Sequence, residues 1–121
     1  MHPKTILALQ RSIQHWKTML DWARTQPEKD FRSASSMREA IKQDWFSSSC
    51  ALCRRFSTAG QDCQIDNETC PLMSPLMSLG CENCCLAWRR VAKSNTWAAW
   101  IQAAEKMIEY MESKLLEVES T

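Results

Sequence analysis

The sequence predicts a mainly α fold in which long N- and C-terminal amphipathic helices flank a central, irregular, cysteine-rich metal-binding knot. Three observations predict it. All seven cysteines fall between Cys50 and Cys85, with both glycines, Gly60 and Gly80, and two of the four prolines, Pro71 and Pro75. Outside that stretch, apolar residues recur at alternating spacings of three and four, the period of a helix face. Two glycines in 121 residues are too few for a turn-rich β protein. The length fits a single domain, 1–121.

The first helix is expected over residues 4–25. Ile6, Leu9, Ile13, Trp16, Leu20 and Ala23 form its seam, widened by Met19 and Trp22. Pro3 suits the first turn, where a missing N–H costs nothing, and Gln26-Pro27 ends the helix. The charged loop PEKDFRSAS follows, with Phe31 as its expected anchor. A second helix is expected over 36–46, opened by a capping box in which the Ser36 oxygen accepts from the Glu39 N–H. Its face would be Met37, Ala40, Ile41 and Trp45, and Ser47-Ser48-Ser49 stop it.

The knot, 50–85, is expected to be largely irregular. Cys50-Ala-Leu-Cys53 starts a short helical turn carrying Arg54, Arg55 and Phe56, and Thr58 to Asp62 form a turn. A short helix is expected from about Cys81 to Lys93, with Cys85, Trp88 and Ala92 on one face. The last helix, 95–118, is capped by Ser94 or Asn95. Its seam is Trp97, Ile101, Ala104, Ile108, Met111, Leu115 and Val118, with Trp100, Met107 and Tyr110 beside it. Residues 1–25 carry +3, from Lys4, Arg11, Lys17 and Arg24 against Asp21. Residues 95–121 carry −3, from five glutamates against Lys106 and Lys114. Opposite signs predict that the two ends pack together.

Thiolates bind zinc tetrahedrally, and a C-x-x-C turn presents two sulfurs to one ion. Two such pairs are present, Cys50/Cys53 and Cys81/Cys84, with Cys63 and Cys70 between them. Zinc is the expected metal, and an iron–sulfur cluster uses the same four-cysteine chemistry. Cys85 reads as a buried apolar thiol. Four thiolates leave no open position for water, which catalytic zinc needs. Only His2 and His15 are available as histidines, and no H-E-x-x-H, nucleophile elbow or phosphate-binding glycine loop occurs. The expectation is therefore a non-enzyme. The N-terminus has no apolar run of signal-peptide or membrane-span length, so a cytoplasmic protein with no membrane contact is expected.

Two basic clusters flank the knot, Arg54-Arg55 and Arg89-Arg90 with Lys93. They are the candidate nucleic-acid contacts, and would have to line one face. Asp62, Asp66, Glu68 and Glu82 leave residues 50–93 at only +1. Nucleic acid is accordingly the second reading, behind a protein partner.

Ser12, Ile13, His15 and Trp16, then Cys50, Leu52 and Cys53, then Cys70-Pro71 and Cys81, form a pattern. It resembles small cysteine-rich bacteriophage and prophage proteins, mostly of unknown function, with an S-I-x-H-W helix and a C-x-L-C…C-P…C core. The resemblance covers about a third of the chain. It implies Cys50, Cys53, Cys70 and Cys81 as ligands, whereas spacing alone points to Cys50, Cys53, Cys81 and Cys84. The chain departs from the group at Asn67, where a cysteine is usual, and at Cys84-Cys85-Leu86, where a proline–tyrosine pair is usual. Cys84 and Cys63 therefore stay open as reserves. The resemblance implies a phage-type, zinc-stabilised protein in the host bacterial cytoplasm. Such a protein would bind and modulate a host or phage protein, for example by inhibiting a host enzyme or defence system. The alternative is a small zinc-containing nucleic-acid-binding regulator. The expected docking surface is an apolar, tryptophan-rich helical face; the 97–118 stripe has the first helix as its obvious partner, with a second copy of the chain, in a homodimer, as the alternative.

Overall fold

The fold was read from a computed structural model, which describes residues 1–46, 51–57, 64–65, 68–72 and 86–119. It is mainly helical, with a long helix near each end. In chain order the elements are α1 (Pro3–Ala23), α2 (Ala34–Ile41), α3 (Ala51–Ser57), β1 (Gln64–Ile65), β2 (Glu68–Thr69), α4 (Leu86–Lys93) and α5 (Trp97–Glu119). Helix α1 packs against α5, α3 and α2, and α4 packs against α5. The oppositely charged ends do meet, with Lys17 Nζ 3.5 Å from Glu112 Oε2. Both side chains are half exposed, so the pair is worth at most about 0–1 kcal/mol, and apolar burial holds the helices together.

Helix α1 begins where the His2 ring Nδ1 accepts the Lys4 N–H at 3.0 Å, with Pro3 in the first turn. Its buried face includes Leu9, Ile13, Trp16, Met19, Leu20 and Ala23, as expected, but its centre also includes Thr5 and Ser12. Ile6, assigned to the seam by periodicity, is only half-buried. Thr5 and Ser12 can be internal because each hydroxyl has partners.

Helix α2 starts earlier than expected. Ser33, in extended conformation (φ −141°, ψ 111°), is the N-cap, and its hydroxyl accepts the Ser36 N–H at 3.2 Å. The Ser36–Glu39 capping box is therefore corrected: Ser36 lies inside the first turn. The helix also ends earlier, at Ile41, because Lys42 turns left-handed (φ 61°) and its N–H returns to the Arg38 carbonyl at 2.9 Å. Trp45 thus lies beyond the helix. Buried Asp44 holds the turn that delivers Trp45 to the core, pairing with Arg38 Nε at 2.8 Å and accepting the Phe46 N–H at 3.0 Å.

Within the knot, 51–57 is a helix of about two turns rather than a single turn, and it buries Leu52 and Phe56. A short antiparallel ladder pairs Gln64 with Thr69 and Ile65 with Glu68, and it packs on α3. The turn expected at 58–62 lies outside the described residues. So does residues 81–85 of the helix expected from Cys81.

The loop after α1 works as a clamp. Its carbonyls Asp30 and Glu28 accept the Trp97 and Ala98 N–H groups at 2.9 and 3.0 Å. Those are orphan donors of the first turn of α5. Thr96, rather than Ser94 or Asn95, supplies the capping hydroxyl, to the Ala99 N–H at 3.3 Å. Arg32 closes the other side, donating from Nε to the Ser94 carbonyl at 2.7 Å and from Nη2 to the Ala92 carbonyl at 2.9 Å. The loop's anchor is Arg32 and not Phe31, which is 79% exposed.

The core is a tryptophan cluster. Trp16 stacks on Trp100 with ring centroids 6.1 Å apart, and Trp45 packs on Trp100 and Trp97 at 5.4 and 6.1 Å. Trp22 meets Trp97 edge-on at 5.3 Å. Trp88 joins by donating its indole N–H to the Trp45 carbonyl at 2.6 Å. Such aromatic pairs contribute about 0.5–1.5 kcal/mol each beyond burial. On α5 the buried line is Trp97, Trp100, Ala104, Met107, Ile108 and Met111, while Ile101 is half-buried. The seam is rotated toward Trp100 and Met107 because α5 is covered on two sides, by α1 and by α4. Among the described residues, no helix is long and apolar enough to cross a membrane.

Candidate functional site

The residues expected to act fall into two groups. Of the expected metal ligands, Cys53 sits in α3, and Cys70 directly follows β2 and is buried. Cys50, Cys63, Cys81 and Cys84 lie outside the described residues, as does Cys85. Among the described residues, no three metal-capable side chains come together. The ladder leading to Cys70 packs on the helix that carries Cys53. Two expected ligands therefore ride on neighbouring elements, and soft thiolates suit zinc.

The basic residues ride on two helices. Arg54 and Arg55 ride on α3, which packs on α1; Arg89, Arg90 and Lys93 ride on α4, which packs on α5. Arg54 and Arg55 instead share a groove with Lys4 and Arg11 of α1.

That groove has two connected halves. One, of about 430 Å³, is lined by Lys4 and Arg11, by Arg54 and Arg55, and by the apolar Leu7, Ala8 and Ala51. The other, of about 350 Å³, is lined by Gln14, His15, Thr18 and Gln43 and shares Arg11, Ala51 and Arg54 with the first. Among the described residues, four basic side chains and no carboxylate line the first half. Lys4 and Arg11 have no ion pair among the described residues. A net charge of +1 for the whole chain makes this local concentration notable.

Each wall is fixed by hydrogen bonds. The Leu52 N–H, in the first turn of α3, donates to the Ser12 hydroxyl at 2.9 Å. Arg55 Nε donates to the Thr5 hydroxyl at 2.8 Å, and that hydroxyl donates to Glu68. Glu68 also accepts the His2 N–H at 2.8 Å, which places a carboxylate at the positive end of the α1 dipole. The Arg55 guanidinium lies 5.6 Å from the centroid of the Phe56 ring. At the far end, His15 Nδ1 is 2.7 Å from Gln43 Oε1, and His15 Nε2 is buried with no partner among the described residues. His15 also meets Trp16 edge-on, so it packs between groove and core.

Sequence reasoning found Arg54 and Arg55 but missed Lys4 and Arg11. The signal was present: residues 4, 7, 8, 11, 14, 15 and 18 recur at helical spacing beside the apolar seam of α1. What the sequence could not supply was the position of α3 along that stripe. Compared with known proteins, the chain finds no counterpart: no family model, no curated protein and no solved structure matches it.

Proposed function

We propose that this chain is a non-enzymatic binding protein, stabilised by zinc on its cysteines, that holds an anionic macromolecular partner in the groove between α1 and α3. One observation carries the reading. Lys4, Arg11, Arg54 and Arg55 converge on one concave surface, with no carboxylate among its described lining residues, in a chain of nearly balanced charge. Like charges brought together at a surface repel one another, and an anionic ligand relieves that repulsion.

The metal belongs to the same proposal. Cys50, Cys53, Cys70 and Cys81, with Cys84 and Cys63 in reserve, would hold zinc as thiolates and staple α3 to the hairpin that packs on it. Metal binding would then be coupled to folding of that wall of the groove. The phage resemblance adds a setting, a bacterial host cell, in which the partner is a host or phage macromolecule. The tryptophans are not the proposed docking surface, because Trp16, Trp45, Trp97 and Trp100 are buried within the chain. On the stripe offered as a homodimer seam, Trp97, Ala104, Ile108 and Met111 are buried within the chain, while Ile101 and Leu115 are half-buried.

The test is elution from immobilised heparin along a salt gradient. The native chain is expected to bind and elute late. The Arg11→Glu/Arg54→Glu variant should elute near the void. Lys29→Glu/Lys106→Glu changes net charge equally but lies outside the groove, and it should elute close to the native chain. Equal loss in both variants would refute the groove as the binding surface.

A further inference from the structure

We propose that His15 is a metal ligand, its Nε2 taking the fourth position on the zinc beside the thiolates of Cys50, Cys53 and Cys81. This rests on the zinc reading above and changes one ligand in it. The two ligand sets drawn from the sequence share those three cysteines and differ in the fourth, which is Cys70 in one and Cys84 in the other.

The state of the imidazole carries the inference. His15 Nδ1 lies 2.7 Å from Gln43 Oε1. An amide oxygen only accepts, so Nδ1 is the donor and holds the ring proton, and Nε2 holds the lone pair. Nε2 is buried and has no hydrogen-bond partner among the described residues. A buried acceptor left without a partner is costly, and each one in a folded chain calls for an explanation. Among the described residues, Trp100 Nε1 is also buried without a partner. An indole N–H only donates, however, and offers a metal nothing. His15 Nε2 offers it a lone pair. A ring N–H held by an oxygen, with the opposite nitrogen bare, is the arrangement of a metal-ligating histidine. The outer hydrogen bond fixes the tautomer and the ring orientation and raises the basicity of the bare nitrogen. Gln43 supplies that outer contact from the turn that follows α2.

His15 stands where the cysteine segment reaches α1. Ser12, one turn earlier on α1, accepts the Leu52 N–H at 2.9 Å. Ala51 lines the same half of the groove as His15 and Gln43. In the chain, Cys50 directly precedes Ala51 and Cys53 directly follows Leu52. The C-x-x-C pair therefore brackets the two residues by which α3 meets this stretch of α1. Three thiolates and one imidazole are a standard structural zinc set. With His15 in the set, α1 itself carries a ligand, so the metal joins α1 to α3, the two walls of the groove.

The experiment is zinc-edge X-ray absorption of the purified full chain, with zinc affinity read by competition against a chromophoric chelator. The native spectrum should fit three sulfurs at about 2.3 Å and one nitrogen at about 2.0–2.1 Å. His15→Ala should lose that nitrogen and at least tenfold in zinc affinity. His15→Cys puts a thiolate at the same place and should bind zinc with four sulfurs, which decides the matter where His15→Ala does not fold. Gln43→Ala should keep three sulfurs and one nitrogen but bind about 10–100-fold more weakly. His2→Ala should match the native chain in both readouts. Four sulfurs in the native spectrum, or a nitrogen that survives in His15→Ala or His15→Cys, would overturn the histidine and leave the zinc reading standing. Failure of the native chain to bind zinc would overturn both.

Discussion

The Ser12 hydroxyl, fully buried in the middle of α1, accepts the Leu52 backbone N–H of α3 at 2.9 Å. The two residues are forty apart in sequence. A helix has four orphan N–H groups at its start, and here a neighbouring helix supplies an acceptor for one of them. The contact sets where α3 stands along α1, and hence which α1 residues Arg54 and Arg55 face. The buried hydroxyl at a central seam position is thereby explained: it aligns the two walls of the groove.

Ser12→Ala removes that acceptor and strands the Leu52 N–H in the core. The expected cost is about 1–3 kcal/mol, the penalty for an unsatisfied buried donor. Urea denaturation followed by far-UV circular dichroism measures it, with Ser36→Ala, in an exposed part of α2, as a comparison expected within about 0.5 kcal/mol of native. Equal stability of both variants would contradict the alignment role.

Arg32 holds together three segments, through the Ala92 and Ser94 carbonyls and a position 5.4 Å from the centroid of the Trp45 ring. Arg32→Ala should destabilise by about 1.5–3 kcal/mol, the range for hydrogen bonds to charged groups. Arg32→Lys should recover only part, since an ammonium cannot reproduce the planar fork. Phe31→Ala, next to it, should be nearly silent because that ring is 79% exposed. Thermal melts of the three variants give the order.

The tryptophan cluster predicts both spectra and stability. With Trp16, Trp45, Trp97 and Trp100 buried, native emission should be blue-shifted and resist acrylamide, and unfolding should shift it red. Trp100→Ala opens a cavity at the centre of the cluster and should cost about 3–5 kcal/mol. Native emission that acrylamide quenches as readily as unfolded emission would show that the indoles are at the surface.

The metal proposal predicts one zinc per chain by elemental analysis of the purified protein. Cys50→Ser, Cys53→Ser and Cys81→Ser should each lose it, while Cys85→Ser keeps it. A strong chelator should reduce heparin affinity while most helical signal survives, because α1 and α5 pack through apolar side chains far from the thiols in sequence. Absence of both zinc and iron, together with indifference to chelator, would remove the metal from the account.

Much of the helical frame was legible. Periodicity located α1 and α5 to within a few residues, and the charge imbalance between the ends anticipated their contact. Boundaries failed where a short-range rule met tertiary structure. Ser33 and Ser36 are both acceptable caps, and the choice of Ser33 follows from how the chain leaves Arg32. The α5 seam was displaced because periodicity reports one apolar stripe, whereas α5 is covered from two sides. The groove was half legible: Arg54 and Arg55 were visible as a pair, but Lys4 and Arg11 looked like ordinary solvated charges until α3 was placed beside them. The cysteine spacing carries chemistry that the described residues reach only at Cys53 and Cys70.

The most direct test of the central claim is a two-dimensional amide NMR titration of the full chain with heparin at low salt. The account predicts that shifts concentrate on two segments, 4–18 of α1 and 51–55 of α3, with 86–93 and 97–119 largely unmoved. Shifts centred on Arg89, Arg90 and Lys93, or none at all, would contradict it.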